Sequence, residues 1–534
     1  MRRPSPASDQ RAELLRAETH LGGAATFSPR AAQAPLRCAL LFPNTYQVGM
    51  SSLAVHALYA LLEERGLACE RVFTPPDGPT VSLESGSPLR DFDVLFVSAP
   101  FELDWLALPG MLEAGGVPAL AAERGEDAPF VLIGGPAVTA NPEPLAGIAD
   151  AAFIGEVEPV MDELVEALTG ATGGGRGDLA GAVTGIPGVY VPLAPEHNPL
   201  LGGERARVAR LYAAEIGDFQ TRSVILTRNT EFGSRFLIEV GRGCGRGCGF
   251  CLAGCIYRPV RPRRPEGIIA ACEEYARPHT LDLGLVGAAL SDYPWIGRLA
   301  PELVAAGFRI SASSLRVESV TEELLAALVA SGQDSITLAP EAAGCALREA
   351  IGKPVTDEGL WQVCEAALQA GMKRIKLYFM VGLPGETDAD ALEIAALTQR
   401  LAAGFPRLRF ITSVGPLVPK PHTALERHAM PSQDVLRRRL AALEAAVSRG
   451  AEIRCGSARW AAVQAALSRG GRELSVPLVE ASRTGGSFGA FRDALRAHGL
   501  SLEQYMAAPE APDGELPWHV VDPVGTPRGR EAQP

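Results

Sequence analysis

The chain has 534 residues, of which 47% are hydrophobic and 21% charged, and its formal net charge is −12. That length allows two or three domains of ordinary globular composition, and the acidic balance gives no general electrostatic case for nucleic acid or an acidic membrane. No run reaches the roughly 18 apolar residues a membrane span needs, and ten irregularly spaced cysteines without a secretory signal argue against a disulfide framework and for a reducing, cytoplasmic compartment.

Residues 1–35 read as an N-terminal tail. Ser8 to Leu21 predicts a short amphipathic helix with Leu14, Leu15 and Leu21 near one face, a lead-in that packs on a neighbour. Asp9, Glu13 and Glu18 argue against a transit peptide. Over 36–200, strand runs at Cys38–Phe42, Asp93–Ser98, Phe130–Ile133 and Ala151–Ile154 alternate with helical stretches at Ser51–Arg65, Trp105–Ala114 and Val160–Leu168. This alternation predicts a Rossmann-like, doubly wound parallel sheet. Ligands in such sheets bind at the carboxyl ends of the strands, here Asn44–Gly49, Ser98, Gly134 and Gly135, and Gly155–Glu156. Gly170–Gly177 reads as a flexible loop, Gly188–Val191 as a strand, and 201–235 as a linker without chemistry.

Residues 236–430 alternate again. Strands are expected at 236–240, 281–286, 308–313, 335–339, 374–381 and 408–414, with helices at 265–277, 295–306, 321–331, 343–351, 358–370 and 388–402. Six strand–helix units predict a partial (β/α)6 TIM-type barrel, whose chemistry sits at the strand carboxyl ends. Residues 431–534 read as a helical C-terminal region with helices at 431–448 and 458–468 and a disordered end from Asp522. Cys455, ahead of the second helix, is a candidate hydrogen donor or acceptor facing the active site, with a buried, inert thiol as the favoured reading.

After the first barrel strand comes Cys244-Gly-Arg-Gly-Cys248-Gly-Phe-Cys251. Three thiolates at C-x3-C-x2-C spacing can hold three corners of a [4Fe–4S] cube and leave the fourth iron open to a small molecule. Glycines at 243, 245, 247 and 249 would allow left-handed backbone in the loop. The competing reading is part of a zinc site, with Cys255 as a fourth ligand.

This motif, with Phe250 before its third cysteine, resembles the radical S-adenosylmethionine (SAM) superfamily, and Glu239 to Pro259 resembles the branch with an N-terminal cobalamin-binding-type domain. The resemblance spans roughly 36–520 and leaves Cys255 outside the ligand set. It implies Cys244, Cys248 and Cys251 as cluster ligands. It implies SAM contacts from Phe250, Gly287, Ser314, Arg316, Glu341, Arg348, Val381 and Gly382, the last two in the stretch Lys376–Thr387. Arg316 and Arg348 are candidates for the SAM carboxylate, with a surface salt bridge as the competing reading for Arg316. No acid follows Gly287 at the family's Gly-Gly-Glu position, so only a backbone role carries over there. His422 is a candidate proton carrier or a turn residue. Arg258, Arg261, Arg263 and Arg264 form a basic stretch that would flank the cluster loop, bind substrate anions or form a solvated edge.

In the N-terminal domain the resemblance implies cobalamin contacts from Asn44, Tyr46, Gly49, Ser98, Gly134 and Gly135. The family's D-x-H-x-x-G reads Asn44-Thr-Tyr46-Gln-Val-Gly49 here. A phenol with an ordinary pKa of about 10 is a poor cobalt ligand, which excludes histidine-on coordination. Either a corrinoid binds with its lower face open or merely capped by Tyr46, or the domain is a scaffold. The implied cofactors are a [4Fe–4S] cluster and SAM, with cobalamin as a further one. The implied activity is SAM cleavage to a 5′-deoxyadenosyl radical, with C-methyl transfer to an unactivated carbon as the first specific reading. A cobalamin-independent C–C or C–S bond formation or rearrangement is the alternative, and a non-catalytic iron–sulfur carrier or binding module the reading from another class. Implied partners are an external one-electron reductant such as flavodoxin or ferredoxin and a small-molecule or peptide substrate.

Overall fold

The computed structural model describes residues 6–22, 34, 36–194, 197, 206–446, 451–509 and 514–528. The chain divides into two compact units: Met1–Arg235 with Ala466–Leu502 and Asp513–Pro534, and Phe236–Ala465 with Glu503–Pro512. The helical region expected over 431–534 is thus shared between them, and the division falls within the helix Ala458–Arg469.

The first unit is built on six strands, β1 (Arg37–Phe42), β2 (Ala68–Phe73), β3 (Val94–Ser98), β4 (Phe130–Gly134), β5 (Ala151–Phe153) and β6 (Val189–Tyr190). Their order is β2-β1-β3-β4-β5-β6, parallel except for β6. The strand runs are mostly buried and parallel, as in a doubly wound sheet covered by helices. β2 escaped the sequence reading because Glu70 and Arg71 interrupt its apolar pattern, yet both side chains are buried and paired. The expected flexible loop before β6 ends in a helix, Arg176–Val183. Within the expected linker, Val208–Ala213 pairs with Val521–Arg528, so the disordered end expected from Asp522 is corrected for 522–528. The last residues, 529–534, and tail residues 1–5, 23–33 and 35 lie outside the described residues.

The lead-in helix forms over Pro6–Arg16, and Leu14 and Leu15 pack against the core of this unit. It ends in a strand, Thr19–His20, paired with Ile225–Leu226. Between helix and strand, Glu18 enters the interior. Both terminal nitrogens of Arg71 donate to it at 2.7 Å, and the Tyr46 hydroxyl donates at 2.6 Å. Arg71 Nε donates to Glu84 at 2.7 Å. One guanidinium cannot balance two buried carboxylates equally. Burial pushes Glu84 up, with Arg71 opposing. Burial also pushes Glu18 up, but His20, Arg71 and Tyr46 outweigh it and hold its carboxyl at about 2.

The second unit carries β7 (Phe236–Glu239), β8 (Asp282–Val286), β9 (Arg309–Ala312), β10 (Ser314–Leu315), β11 (Ser335–Glu341), β12 (Arg374–Val381), β13 (Arg409–Pro416) and β14 (Ala451–Cys455). All neighbours are parallel and in chain order, in one sheet β7-β8-β9 and another β10-β11-β12-β13-β14. With a helix after most strands this is a TIM-type succession of strand–helix units. The single strand expected at 308–313 is instead two, because Ser313 leaves the ladder and the chain changes partner from β8 to β11. β14 is a further strand, and Cys455 closes it half-buried, its thiol 3.5 Å from the Leu440 carbonyl.

The Glu18 arrangement sets a sign for acid stability. A carboxyl held below its ordinary 4.5 stabilises the fold above that pH and ceases to do so as pH falls toward about 2. The difference corresponds to about 3 kcal/mol. Glu18→Gln should therefore lower urea resistance at pH 7 by about 3 kcal/mol or somewhat more, since it also leaves Arg71 underpaired. The gap between variant and parent should close as the pH is taken from 5 toward 2.

Candidate functional site

The three cysteines lie in the loop leaving β7, all half-exposed, with Cys255 beside them. Backbone contacts from elsewhere in the second unit hold the loop. Gly249 N donates to Ile351 O at 2.8 Å, and Leu425 N to Gly249 O at 3.2 Å. Gly241–Arg242 and Arg261–Pro262 pair across the loop base. Of its four glycines only Gly243 is left-handed, with φ +88, and a Cβ there would stand 2.4 Å from the Tyr257 carbonyl oxygen. The expectation of left-handed backbone at 245, 247 and 249 is corrected. Beneath the loop Gly352, at φ +70, leaves room for the Gly247 carbonyl, which a Cβ would approach to 2.5 Å.

Among the described residues no group of three or more His, Cys, Asp or Glu side chains converges on a single metal ion. Three thiols in one short loop, each on a separate iron, are what a four-iron cluster asks for, so the donor set fits it. Zinc would draw four ligands to one point.

The carboxyl ends of β8 and β10 face this loop. Arg246, inside the motif, forks onto Asp292 with both contacts at 2.9 Å. A cavity of about 50 Å³ is lined by Gly243, Cys244, Gly287 and Asp292. Arg316, just after β10, places Nη1 3.9 Å from Cys248 Sγ and Nη2 2.9 Å from Glu318. Ser314 is exposed at the same strand end. Glu341, closing β11, has φ +72, a sparsely populated conformation for a residue with a side chain. Its carboxylate takes a 2.7 Å bond from Lys353. Burial pushes this carboxyl up, opposed by Lys353 and then Arg316.

Arg348 departs from the sequence reading. It is wholly buried, and its guanidinium bonds the carbonyls of Ala342, Ala343 and Val355 and the carboxylate of Asp357. It fixes the turn after β11 and has no face left for a SAM carboxylate. Phe250 packs with Ala342, Ile351, Leu383 and Leu417 in a small apolar cluster. Val381 is buried and its carbonyl accepts from Leu417, so any ligand contact there is through backbone. Gly382 N donates to Glu386 at 2.5 Å, and Glu386 is held by Arg439 at 2.6 Å. Thr387 and Asp390 form a capping box for the helix Asp388–Gly404. Much of the Lys376–Thr387 motif is therefore architecture. His422 sits in a left-handed turn with its N–H on Glu426. In the basic stretch, Arg263 pairs with Glu239 at 2.6 Å and Arg264 stacks over Trp295, so two of its charges are held by neighbours.

Sequence reasoning gave no role to Asp292 or Glu318. Their only sequence signal is an acid near the end of a barrel strand.

In the first unit, Asn44 donates to Asp104 at 2.8 Å and Tyr46 to Glu18. Burial, followed by Glu18, raises the phenol further above its ordinary range. Gly49 N closes a turn onto Thr45 O, and Ser98 is buried beside Gly134. Gly135 opens the helix Pro136–Ala140. Farther along this edge, Asn141 donates to the carbonyls of Ser468 and Gly470. A cavity of about 750 Å³ lies over the carboxyl ends of β1 and β2, with Tyr46, Phe73 and Leu14 in its apolar wall and Arg11 and Arg228 at its lining. Among the described residues its lining offers no imidazole, amine or thiol, so a corrinoid held there would draw no cobalt ligand from them.

No helix among the described residues is long and apolar enough to cross a membrane. Residues 54–192 match the family described as radical SAM proteins, N-terminal, and residues 238–398 match the radical SAM superfamily. The uncharacterized protein MJ0966 of Methanocaldococcus jannaschii is 30% identical over 392 residues, 73% of this chain and 78% of that protein. Among solved structures, the radical SAM methyltransferase TsrM of Kitasatospora setae, with tryptophan and a SAM analogue bound, is 16% identical, with 76% of each chain covered and a TM-score of 0.49. The cobalamin-dependent SAM radical enzyme OxsB, with aqua-cobalamin and SAM bound, is 14% identical, with 68% of this chain and 52% of that one covered and a TM-score of 0.46. With three thiols in one braced loop at the strand ends, residues 54–192 and 238–398 each matched by a radical SAM family model, and a relative 30% identical over 73% of the chain, this chain belongs to the radical SAM superfamily and is an enzyme that uses a [4Fe–4S] cluster and SAM.

Proposed function

We propose that the second unit binds a [4Fe–4S] cluster through Cys244, Cys248 and Cys251 and SAM beside it, and that the enzyme acts on an unactivated carbon of a small molecule or peptide. The observation that carries this is the meeting of the cysteine loop with Arg316, Asp292 and Glu341 around the strand carboxyl ends. When loaded, the cluster and SAM would supply, on one electron from a flavodoxin or ferredoxin, methionine and a 5′-deoxyadenosyl radical able to take a hydrogen atom from the substrate. The chain's own part is to hold and orient. Glu341, an acceptor-only group when ionised, suits the ribose hydroxyls or amino group of SAM, and Lys353 opposes the upward push that burial gives its carboxyl. The Gly287 backbone borders the cavity next to Cys244.

The finer reading is C-methyl transfer with a corrinoid in the first unit. A corrinoid, when bound, would supply a transferable methyl group, with Tyr46 and Phe73 walling its cavity. The cavity over β1 and β2 supports it. A second reading, a cobalamin-independent bond formation or rearrangement with the first unit as scaffold, draws support from Tyr46 and Asn44, whose polar groups are already bonded to Glu18 and Asp104.

Anaerobic reconstitution with added hydroxocobalamin separates the readings. About four irons and one cobalt per chain, with 5′-deoxyadenosine released on reduction with SAM, is the expected result. Four irons and 5′-deoxyadenosine without cobalt would move the assignment to the second reading, and a cluster that leaves SAM intact would leave only an electron carrier. Gly352→Ala tests the loop support: its Cβ would displace the Gly247 carbonyl. It should lower iron retention by half or more while the three cysteines stay in place, and unchanged retention would show the support to be dispensable.

A further inference from the structure

Arg316 is committed on most sides. Its backbone N–H donates to Ser291 Oγ at 2.9 Å, and Ser291 Oγ lies 2.9 Å from Ser319 Oγ. Nη2 is taken by Glu318 at 2.9 Å. Nε stands 3.6 Å from Asp292 and is buried without a hydrogen-bond partner. Asp292 is itself immobilised by the Arg246 fork from within the cysteine loop. The guanidinium edge left over is Nη1, and it points at Cys248 Sγ from 3.9 Å. A group meant to clasp a carboxylate keeps two parallel N–H bonds free. This one has one terminal nitrogen bound to a carboxylate already and the other turned to a ligating sulfur.

We infer that Arg316 is a positioning residue for the cluster, set against Cys248 by Asp292 and Glu318 so that its charge raises the cluster's reduction potential. The inference rests on the cluster assignment made above. Cluster potentials respond to net charge and to hydrogen bonds on the sulfurs, and outer-shell partners that orient a ligand tune the metal. Reduction adds one electron to the cluster. A fixed cation beside a thiolate stabilises that added charge, so it makes the cluster easier to reduce. The carboxylates of Asp292 and Glu318 temper the effect while holding the guanidinium in place.

The test is a spectroscopic redox titration of the reconstituted full chain without SAM, with SAM affinity measured separately by equilibrium dialysis. Arg316→Gln should lower the ratio of reduced to oxidised cluster at the parent's midpoint about tenfold, equivalent to about 59 mV for a one-electron couple. Arg316→Lys, which keeps the charge, should recover most of it. Glu318→Gln removes an opposing charge from an exposed position and should move the midpoint the other way, which keeps the inference testable if the Gln variant at 316 fails to load. An unchanged midpoint in Arg316→Gln with weakened SAM binding would overturn the inference and return Arg316 to the SAM carboxylate. A parent chain that forms no four-iron cluster would instead overturn the assignment on which the inference stands.

Discussion

A loop of eight residues that is to hold three sulfurs apart, as the proposed cluster requires, has to stay open enough for a fourth iron to meet SAM. Such a loop can bury little apolar surface of its own, so its shape has to come from neighbours. Here it comes from backbone: Gly249 paired with Ile351 and Leu425, and the Gly247 carbonyl seated on Gly352. The segment that supplies Ile351 and Gly352 is locked in turn by Arg348, whose buried guanidinium collects three carbonyls and Asp357. The same segment ends in Lys353, which meets Glu341. The backbone that braces the cysteine loop and the cation that meets Glu341 thus belong to one short stretch, Ile351 to Lys353.

That coupling explains why two arginines of identical sequence appeal have different fates. Arg316 and Arg348 both follow barrel strands, and the residue type alone recommends either for an anion. Burial separates them, because a guanidinium with no exposed surface must satisfy its donors locally, and Arg348 does so with carbonyls of its own turn. Arg316 retains an edge toward Cys248. No pattern within a few residues distinguishes the two cases.

What was legible followed from periodicity and punctuation. The apolar runs Leu40–Phe42 and Val94–Val97, and the alternation through the barrel, predict strands that form within a few residues of where they are expected. β14 was hidden because Ala451–Cys455 carries Glu452 and Arg454 and none of its residues is fully buried. Val521–Arg528 was hidden because Pro523, Gly525 and Pro527 argue against a strand; it pairs with one strand only, and a register shift between Asp522 and Thr526 accommodates them. The Glu18–Arg71 contact joins residues far apart in sequence, which no local pattern encodes.

The N-terminal unit turns on that contact. At the position where the family's histidine would stand, Tyr46 donates a hydrogen bond to Glu18, and the carboxylate it helps to hold ionised is the one that satisfies Arg71. Removing the phenol for the sake of a metal ligand would therefore disturb a buried charge as well as a surface loop. Burial and Glu18 both raise the phenol's pKa and so favour its neutral, protonated form. A protonated phenol already donating to a carboxylate can wall a cavity and cannot ligate a metal. The cavity beside Tyr46 is instead shaped by its apolar wall of Phe73 and Leu14, with Arg11 and Arg228 at its lining.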